Sequence, residues 1–145
     1  MDELRLGPIT VRFVHAGPDE PYALLEWVAP PRAPAPPVHV HHRTDEGFYV
    51  LDGTFAFQLD GETIDAPKGS HVLVRRGHPH TFWNAGADTA RCLIVLLPAG
   101  FEEYFRELAE GLGRAGPEGD ALALRVRLSA THDIEVVEPL VSNAG

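Results

Sequence analysis

The chain has 145 residues, enough for one domain with a sizeable core, and 44% of them are hydrophobic, which excludes wholesale disorder. Its net charge of −9 argues against nucleic acid or an anionic membrane as the main partner. Since no run of about 18 apolar residues predicts a membrane span, we expect a soluble protein that acts on a small molecule.

The N-terminus and the cysteine content indicate the compartment. Residues 1–7 show no basic start followed by an apolar stretch, so no secretory signal is predicted. Cys92 is the single cysteine, which excludes an internal disulfide and a cysteine-based metal site. It lies in an apolar run and is expected to be a small buried hydrophobe. We therefore expect a cytoplasmic protein.

Short strands are predicted one after another from residue 9 to about 97. The first two, Ile9–His15 and Tyr22–Val28, are rich in β-branched and aromatic residues. Residues 30–37 contain five prolines and cannot form an interior strand. We expect an extended edge segment there and no domain linker, because the 29 residues before it are too few for a separate domain.

Two Asp-Gly turns organise the middle of the chain. Asp52-Gly53 and Asp60-Gly61 each lie between apolar runs, which is the strongest local signal for a hairpin. Their spacing predicts an antiparallel meander. The remaining strands are expected at residues 38–42, 46–51, 54–59, 62–66, 70–74, 81–84 and 90–97.

The chain changes character after residue 97. An apolar stripe with helical spacing, consisting of Phe101, Tyr104, Phe105, Leu108 and Leu112, predicts an amphipathic helix that covers one surface or the mouth of the barrel. Glycines within 111–119 are expected to end this helix. A single domain over 1–145 is predicted, with a barrel at about 9–97, a helical extension at about 101–131 and a short last strand at about 134–137.

Eight histidines are the unusual feature of the composition. His39 and His41 are two residues apart, so on a strand their side chains project from the same face. The spacing from His41 to Glu46 is odd, and a bend at residues 43–45 is needed to return Glu46 to that interior. His80 must be delivered by tertiary structure.

A set of three imidazoles and one carboxylate suits Fe, Ni, Mn, Cu or Zn better than Ca or Mg. A six-coordinate ion would keep two open positions, as catalytic metals do. We predict one divalent transition metal ion bound by His39, His41, Glu46 and His80.

These spacings resemble the two motifs of the cupin family. Residues 39–53 match His-x-His, four residues, Glu, six residues, Gly. The second motif is matched by Gly69, Gly77, His80 and Asn84. Arg75 stands where the motif has Pro, and Ala33 where a preceding Gly is expected; both departures concern turns and edges. The resemblance implies an all-β fold, the cupin double-stranded β-helix or jelly-roll barrel, with a short C-terminal helical segment. We further expect a homodimer.

Among cupins, the chain most resembles small single-barrel proteins similar to quercetin 2,3-dioxygenase. The resemblance lies in the proline-rich entry, residues 39–53, the helix after Pro98 and the stretch 133–139. It implies a dioxygenase-like metalloenzyme for a small, largely apolar phenolic or enolic substrate, with Glu46 as ligand and general base. The expected pocket walls are Phe48, Val50, Phe57 and Phe82.

Two other classes of function remain open. Some small cupins resemble polyketide cyclases or isomerases, in which a Zn-type Lewis acid polarises a carbonyl and no O2 is used. The same four ligands serve both reactions, so the sequence does not separate them. A non-catalytic small-molecule binder ranks last, because cupin sensors usually carry a DNA-binding domain and an acidic chain of 145 residues has little room for one.

Overall fold

The strands of the chain form two antiparallel sheets followed by a short helical segment. A computed structural model describes residues 3–138. Its elements, in chain order, are β1 (Glu3–Leu6), β2 (Ile9–His15), β3 (Ala23–Ala29), β4 (Val38–Val40), β5 (Asp45–Asp52), β6 (Thr54–Leu59), β7 (Glu62–Pro67), β8 (His71–Val74), β9 (His80–Asn84), β10 (Ala90–Leu97), α1 (Glu102–Ala115), α2 (Ala121–Leu128) and β11 (Glu135–Glu138).

The sheet order confirms the predicted all-β jelly roll with its C-terminal helical part. A six-stranded sheet has the order β1-β2-β3-β10-β5-β8, and a five-stranded sheet has the order β11-β4-β9-β6-β7. Strands distant in sequence therefore become neighbours, β3 with β10 and β4 with β9. Within residues 3–138, no helix is long and apolar enough to cross a membrane.

The core lies between the two sheets. Residues of β3 alternate between buried and half-buried, as expected of a strand with one face turned inward. Leu25, Phe48 and Ile94 of the six-stranded sheet are fully buried, and so are Phe55 and Phe57 of the five-stranded sheet. Each such side chain stabilises the fold by about 1.5–3 kcal/mol. This packing holds rigidly the strands that carry the polar site.

The meander prediction is wrong at Asp52-Gly53. Asp60-Gly61 joins the paired strands β6 and β7, and both residues have positive φ, as a hairpin turn of this kind requires. At the first turn only Gly53 has positive φ, and β5 and β6 lie in different sheets. The chain turns a corner there, and a Cβ on Gly53 would lie 2.9 Å from Ala90 Cα.

One further element was not predicted from the sequence. β1 pairs with β2 and extends the six-stranded sheet to Glu3. The first helix ends at Ala115 with Gly116 as its C-cap, within the stretch 111–119 whose glycines were expected to end it. Gly111 itself lies inside the helix, where a Cβ would lie 2.7 Å from the Leu124 side chain of α2.

We predict that Gly53→Ala destabilises the protein more than the matched change Gly61→Ala. Both glycines have positive φ, so both alanines introduce backbone strain of about 1–2 kcal/mol. Only Gly53 also meets the backbone of Ala90, which adds roughly 1–3 kcal/mol of overpacking, whereas nothing lies within 4 Å of the Gly61 position. Urea unfolding measures both free energies. Equal losses would contradict the close approach at the corner.

Candidate metal centre and its cavity

Four polar side chains converge inside the barrel. His39 belongs to β4, His41 follows that strand directly, Glu46 lies near the start of β5, and His80 opens β9. β4 and β9 pair so that His39 and His80 are direct partners. One ligand atom from each of the four residues lies within 4.8 Å of all the others, and all four residues are buried. The structure therefore brings together the residues that the sequence predicted to converge.

Each imidazole of the cluster is oriented by a backbone carbonyl. Nδ1 of His39 lies 2.7 Å from Pro37 O, Nδ1 of His41 lies 2.7 Å from Asp133 O, and Nδ1 of His80 lies 2.9 Å from His78 O. Because a carbonyl oxygen only accepts, each Nδ1 donates its proton, and in the neutral ring Nε2 carries the lone pair. Carbonyl acceptors of this kind fix the ring orientation of metal-binding histidines.

Glu46 completes the donor set. Its Oε1 lies 3.0 Å from His80 Nε2 with hydrogen-bond geometry and 2.9 Å from His41 Nε2 without it. His41 Nε2 is therefore buried with no hydrogen-bond partner among the described residues. An unsatisfied buried group costs about 1–3 kcal/mol, and a cation that takes its lone pair removes that cost. The donor set thus fits a divalent transition metal ion.

The distances also fit such an ion. Ligand atoms at about 2.1 Å from a common metal are about 3 to 4.2 Å from one another. The four candidate atoms lie within 4.8 Å of one another, so movements of less than about 1 Å suffice to close the shell.

The electrostatics of the site favour the protonation state that a metal requires at Glu46 and His39, whereas at His41 the effect of burial is outweighed by Glu46, which raises the pKa of that ring. Burial raises the pKa of Glu46, but His41 and His80 outweigh it and hold that pKa well below the usual value. Burial, with the neighbouring His80 and His41, lowers the pKa of His39 well below its usual value. Glu46 is therefore anionic and His39 neutral near pH 7, as metal ligands must be.

Asp133 holds the bend between His41 and Glu46. Its carboxylate accepts hydrogen bonds from the backbone N–H groups of His42 and Arg43, both at 2.8 Å, and from Thr44 Oγ1 at 2.7 Å. The bend covers residues 42–44, one residue earlier than predicted, because β5 already begins at Asp45. Sequence reasoning missed Asp133, since nothing local shows a contact across about 90 residues.

The loop before β9 is docked on the same bend. Gly77 N–H donates to the His41 carbonyl at 2.7 Å, and the Arg76 guanidinium bonds both carboxylate oxygens of Asp45 at 3.2 and 3.1 Å. These bonds tie the segment that leads to His80 to the segment that carries His41. The relative positions of the two histidines thus follow from loop contacts as well as from strand pairing.

A small cavity adjoins the cluster on the side of the helices. Its volume is about 30 Å³, close to the volume that one molecule occupies in liquid water. Its apolar walls are Trp27, Pro36, Phe82, Ile94, Phe101, Phe105 and Ile134, and its polar lining beyond the cluster is Tyr104 and Arg125. The apolar stripe of α1 therefore faces the cluster, with the Phe101 and His41 ring centroids 4.4 Å apart.

The predicted pocket residues lie at different depths. Phe82 lines the cavity, whereas Phe48, Val50 and Phe57 do not and are fully buried in the core. The rings of Phe48 and Phe57 pack behind Phe82, with centroids 5.0 and 5.5 Å from it. The sheets close beneath the cluster, so its open side is the one that α1 covers. The apolar stripe of α1 was the sequence signal that could have identified the cavity residues on that helix.

Cys92 has no part in this site. It is fully buried within β10, and burial strongly raises the pKa of its thiol, so the thiol stays protonated. This agrees with its expected role as a small buried hydrophobe.

Comparison with known proteins places this geometry in context. The family model for the cupin domain matches residues 25–96. A segment of 46 residues is 41% identical to quercetin 2,3-dioxygenase of Bacillus subtilis strain 168, and it covers 32% of this chain and 14% of that enzyme. The match thus spans about one seventh of the length of the curated relative.

Solved structures share the fold at low sequence identity. KdgF from Halomonas sp. superposes with a TM-score of 0.62 at 19% identity, over 71% of this chain and 91% of that one. Pac13 from Streptomyces, described as a nucleoside dehydratase, superposes with a TM-score of 0.63 at 12% identity, over 99% of this chain and 88% of that one. At such identities the likeness concerns the fold alone.

We predict that Glu46→Gln and His80→Gln each lower the affinity for Zn²⁺ by at least about 100-fold, because loss of a ligand exceeds the roughly 10–100-fold effect of an outer-shell partner. His78→Gln is the matched control, since its exposed side chain bonds Asp60 and lies outside the cluster. Competition with a chelating dye measures the affinities. Equal affinities in all three variants would contradict the proposed ligand set.

We also predict that Asp133→Ala lowers the affinity for Zn²⁺ by about 10–100-fold, because the bend between two ligands loses three hydrogen bonds. Glu135→Ala is the control, as the one ion-pair partner of this exposed side chain among residues 3–138 would be the His42 ring, at 3.9 Å. The same dye competition applies. A normal affinity in Asp133→Ala would show that the bend holds its shape without the carboxylate.

Proposed function

Residues 25–96 of this chain form a cupin domain, and on this premise we propose that the protein is a metal-dependent, dioxygenase-like enzyme for a small, largely apolar phenolic or enolic substrate. The observation that carries the proposal is the convergence of four buried ligand atoms beside a largely apolar cavity, which His39, His41 and Glu46 help to line. A purely structural metal would be enclosed on all sides, whereas this set leaves a side open to a second molecule.

The proposed ligands are His39, His41, Glu46 and His80, and the proposed metal is Fe, Ni, Mn, Cu or Zn. The chemistry that a bound ion supplies in such a site is Lewis-acid polarisation of a substrate oxygen and, where the ion is redox-active, electron exchange with O2. The similarity to quercetin 2,3-dioxygenase over 46 residues supports the oxidative form of this chemistry.

Glu46 is the proposed general base. Its Oε1 is held between His41 and His80, so Oε2 is the oxygen left to accept the proton of a substrate hydroxyl. The residue lines the cavity, which places the carboxylate within reach of a molecule bound there. The low pKa of Glu46 keeps it ionised before the substrate arrives, because the neighbouring imidazoles outweigh the effect of burial.

The apolar walls of the cavity are proposed to bind the substrate and to keep water away from it. Trp27, Phe82 and Ile94 come from the barrel, and Phe101 and Phe105 come from α1. Such walls exclude bulk water and thereby strengthen the electrostatic effect of the polar groups on a substrate. They also favour a flat apolar molecule with few polar atoms.

The proposed function is tested by oxygen uptake with quercetin and other enolisable phenols. We expect oxygen consumption by the metal-loaded protein and a loss of at least about 100-fold in Glu46→Gln, the usual lower range for a general base. His78→Gln is expected to keep the activity of the wild type, because its side chain lies outside the site.

The same assay separates the alternative chemistry. Equal substrate turnover under argon and in air would overturn the oxidative reaction in favour of a Lewis-acid cyclase or isomerase, as would a predominant zinc content of the purified protein. Absence of any turnover across the panel would contradict the enzymatic function and leave a small-molecule binder.

A further inference from the structure

Two polar side chains of the helical segment, Tyr104 and Arg125, line the cavity. Tyr104 of α1 is buried, and its hydroxyl has no partner at hydrogen-bond distance and angle among the described residues. Buried polar groups are nearly always satisfied, and an exception calls for a role such as ligand binding. The hydroxyl therefore indicates a missing acceptor or donor at this end of the cavity.

Arg125 of α2 is the second such group. It is half-buried, lines the cavity beside Tyr104, and has no carboxylate within 4.0 Å among residues 3–138. In a chain with a net charge of −9, a half-buried arginine without an ion pair is unusual. Among the lining residues of the cavity, it is the one permanently charged cation.

Arg125 also lines a second space. This outer pocket has a volume of about 250 Å³, and its lining, apart from Arg125, is entirely apolar and comes from the turn between β1 and β2 with its flanking residues, the proline-rich segment, α1 and α2. Proline-rich residues face both spaces, Pro36 the inner cavity and Pro37 the outer pocket. The inner cavity of about 30 Å³ has room for one water molecule, whereas a cavity that binds a molecule of the size of benzene has a volume of about 150 Å³.

We propose that Arg125 and Tyr104 bind the carboxylate of an aromatic or enolic acid, which enters through the outer pocket while its hydroxyl oxygen reaches the metal-binding end of the cavity. Rotation of the Arg125 side chain joins the two spaces into one site large enough for such a molecule. The guanidinium then supplies paired N–H donors and the charge that a carboxylate needs.

The two groups complement each other chemically. Burial raises the pKa of Tyr104, and the nearby Arg125 lowers it only in part, so the hydroxyl stays protonated and donates a hydrogen bond. A carboxylate accepts from both groups at once and forms an ion pair with Arg125, whereas the carbonyl of a neutral amide accepts a hydrogen bond from Arg125 without the attraction of opposite charges. The apolar remainder of the substrate lies against the aromatic walls.

This inference rests on the proposed function for one of its two contacts, the one between the hydroxyl oxygen of the acid and the metal. The test of the other contact, between the carboxylate and Arg125, does not depend on a metal. The probes are salicylate and its neutral analogue salicylamide, titrated calorimetrically into chelator-treated and Zn²⁺-loaded protein. We expect the wild type to bind salicylate about 10- to 100-fold more tightly than salicylamide in both forms, the effect of one charge-assisted hydrogen bond.

The variants assign that preference to residues. Arg125→Met keeps the aliphatic stem and is expected to abolish the preference, while Arg127→Met, an exposed arginine of the same helix, is expected to retain it. Tyr104→Phe is expected to weaken salicylate binding about fivefold without lowering the melting temperature, since its hydroxyl has no hydrogen-bond partner among residues 3–138.

The inference is overturned if wild-type protein does not bind salicylate, binds both probes equally, or keeps its preference in Arg125→Met. Failure of the proposed function gives a different pattern. In that case oxygen uptake and metal binding are absent, but chelator-treated protein still distinguishes salicylate from salicylamide.

Discussion

Burial of four polar ligand groups in an apolar barrel is the constraint that shapes this protein. His39, His41, Glu46 and His80 are all less than 10% exposed, and Nε2 of His41 has no hydrogen-bond partner in the part of the chain that the structure describes. Such burial is stable only if each polar atom is satisfied, because desolvation in a low-dielectric core is expensive. The backbone carbonyls satisfy the outer nitrogens, and the inner atoms are left to converge on a common point.

The C-terminal segment completes this site as well as covering it. Asp133 fixes the bend that carries His41 toward Glu46, and its own carbonyl orients the His41 ring. Phe101 and Tyr104 of α1 close the cavity above the cluster, and Arg125 of α2 contributes its charge. In the proposed function, the barrel therefore supplies the metal ligands, and the helices supply the walls of the cavity against which a substrate binds.

The spacing of residues revealed much of the site but little of its surroundings. His39 and His41 share a face because strands have a period of two. The match to the two cupin motifs then predicted that Glu46 and His80 join them. Phe48, Val50 and Phe57 were predicted to form pocket walls because they were expected to point inward. Strand periodicity shows which side chains point inward, but it does not show which of them border the cavity and which are packed in the core. Similarly, Asp52-Gly53 has the composition of a hairpin, and only the approach of Ala90 shows that the chain turns a corner there.

By itself the sequence determined a series of short strands, the amphipathic nature of α1 and the shared face of His39 and His41, because these depend on local periodicity. The jelly-roll fold and the addition of Glu46 and His80 to the cluster were implied by the resemblance to the cupin motifs. The tertiary structure alone decided that Asp133 holds the ligand bend, that Gly111 lies within a helix against Leu124, and that Tyr104 and Arg125 face the cavity. Those contacts join segments far apart in the chain, and no local pattern of side chains encodes which distant segments will pack together.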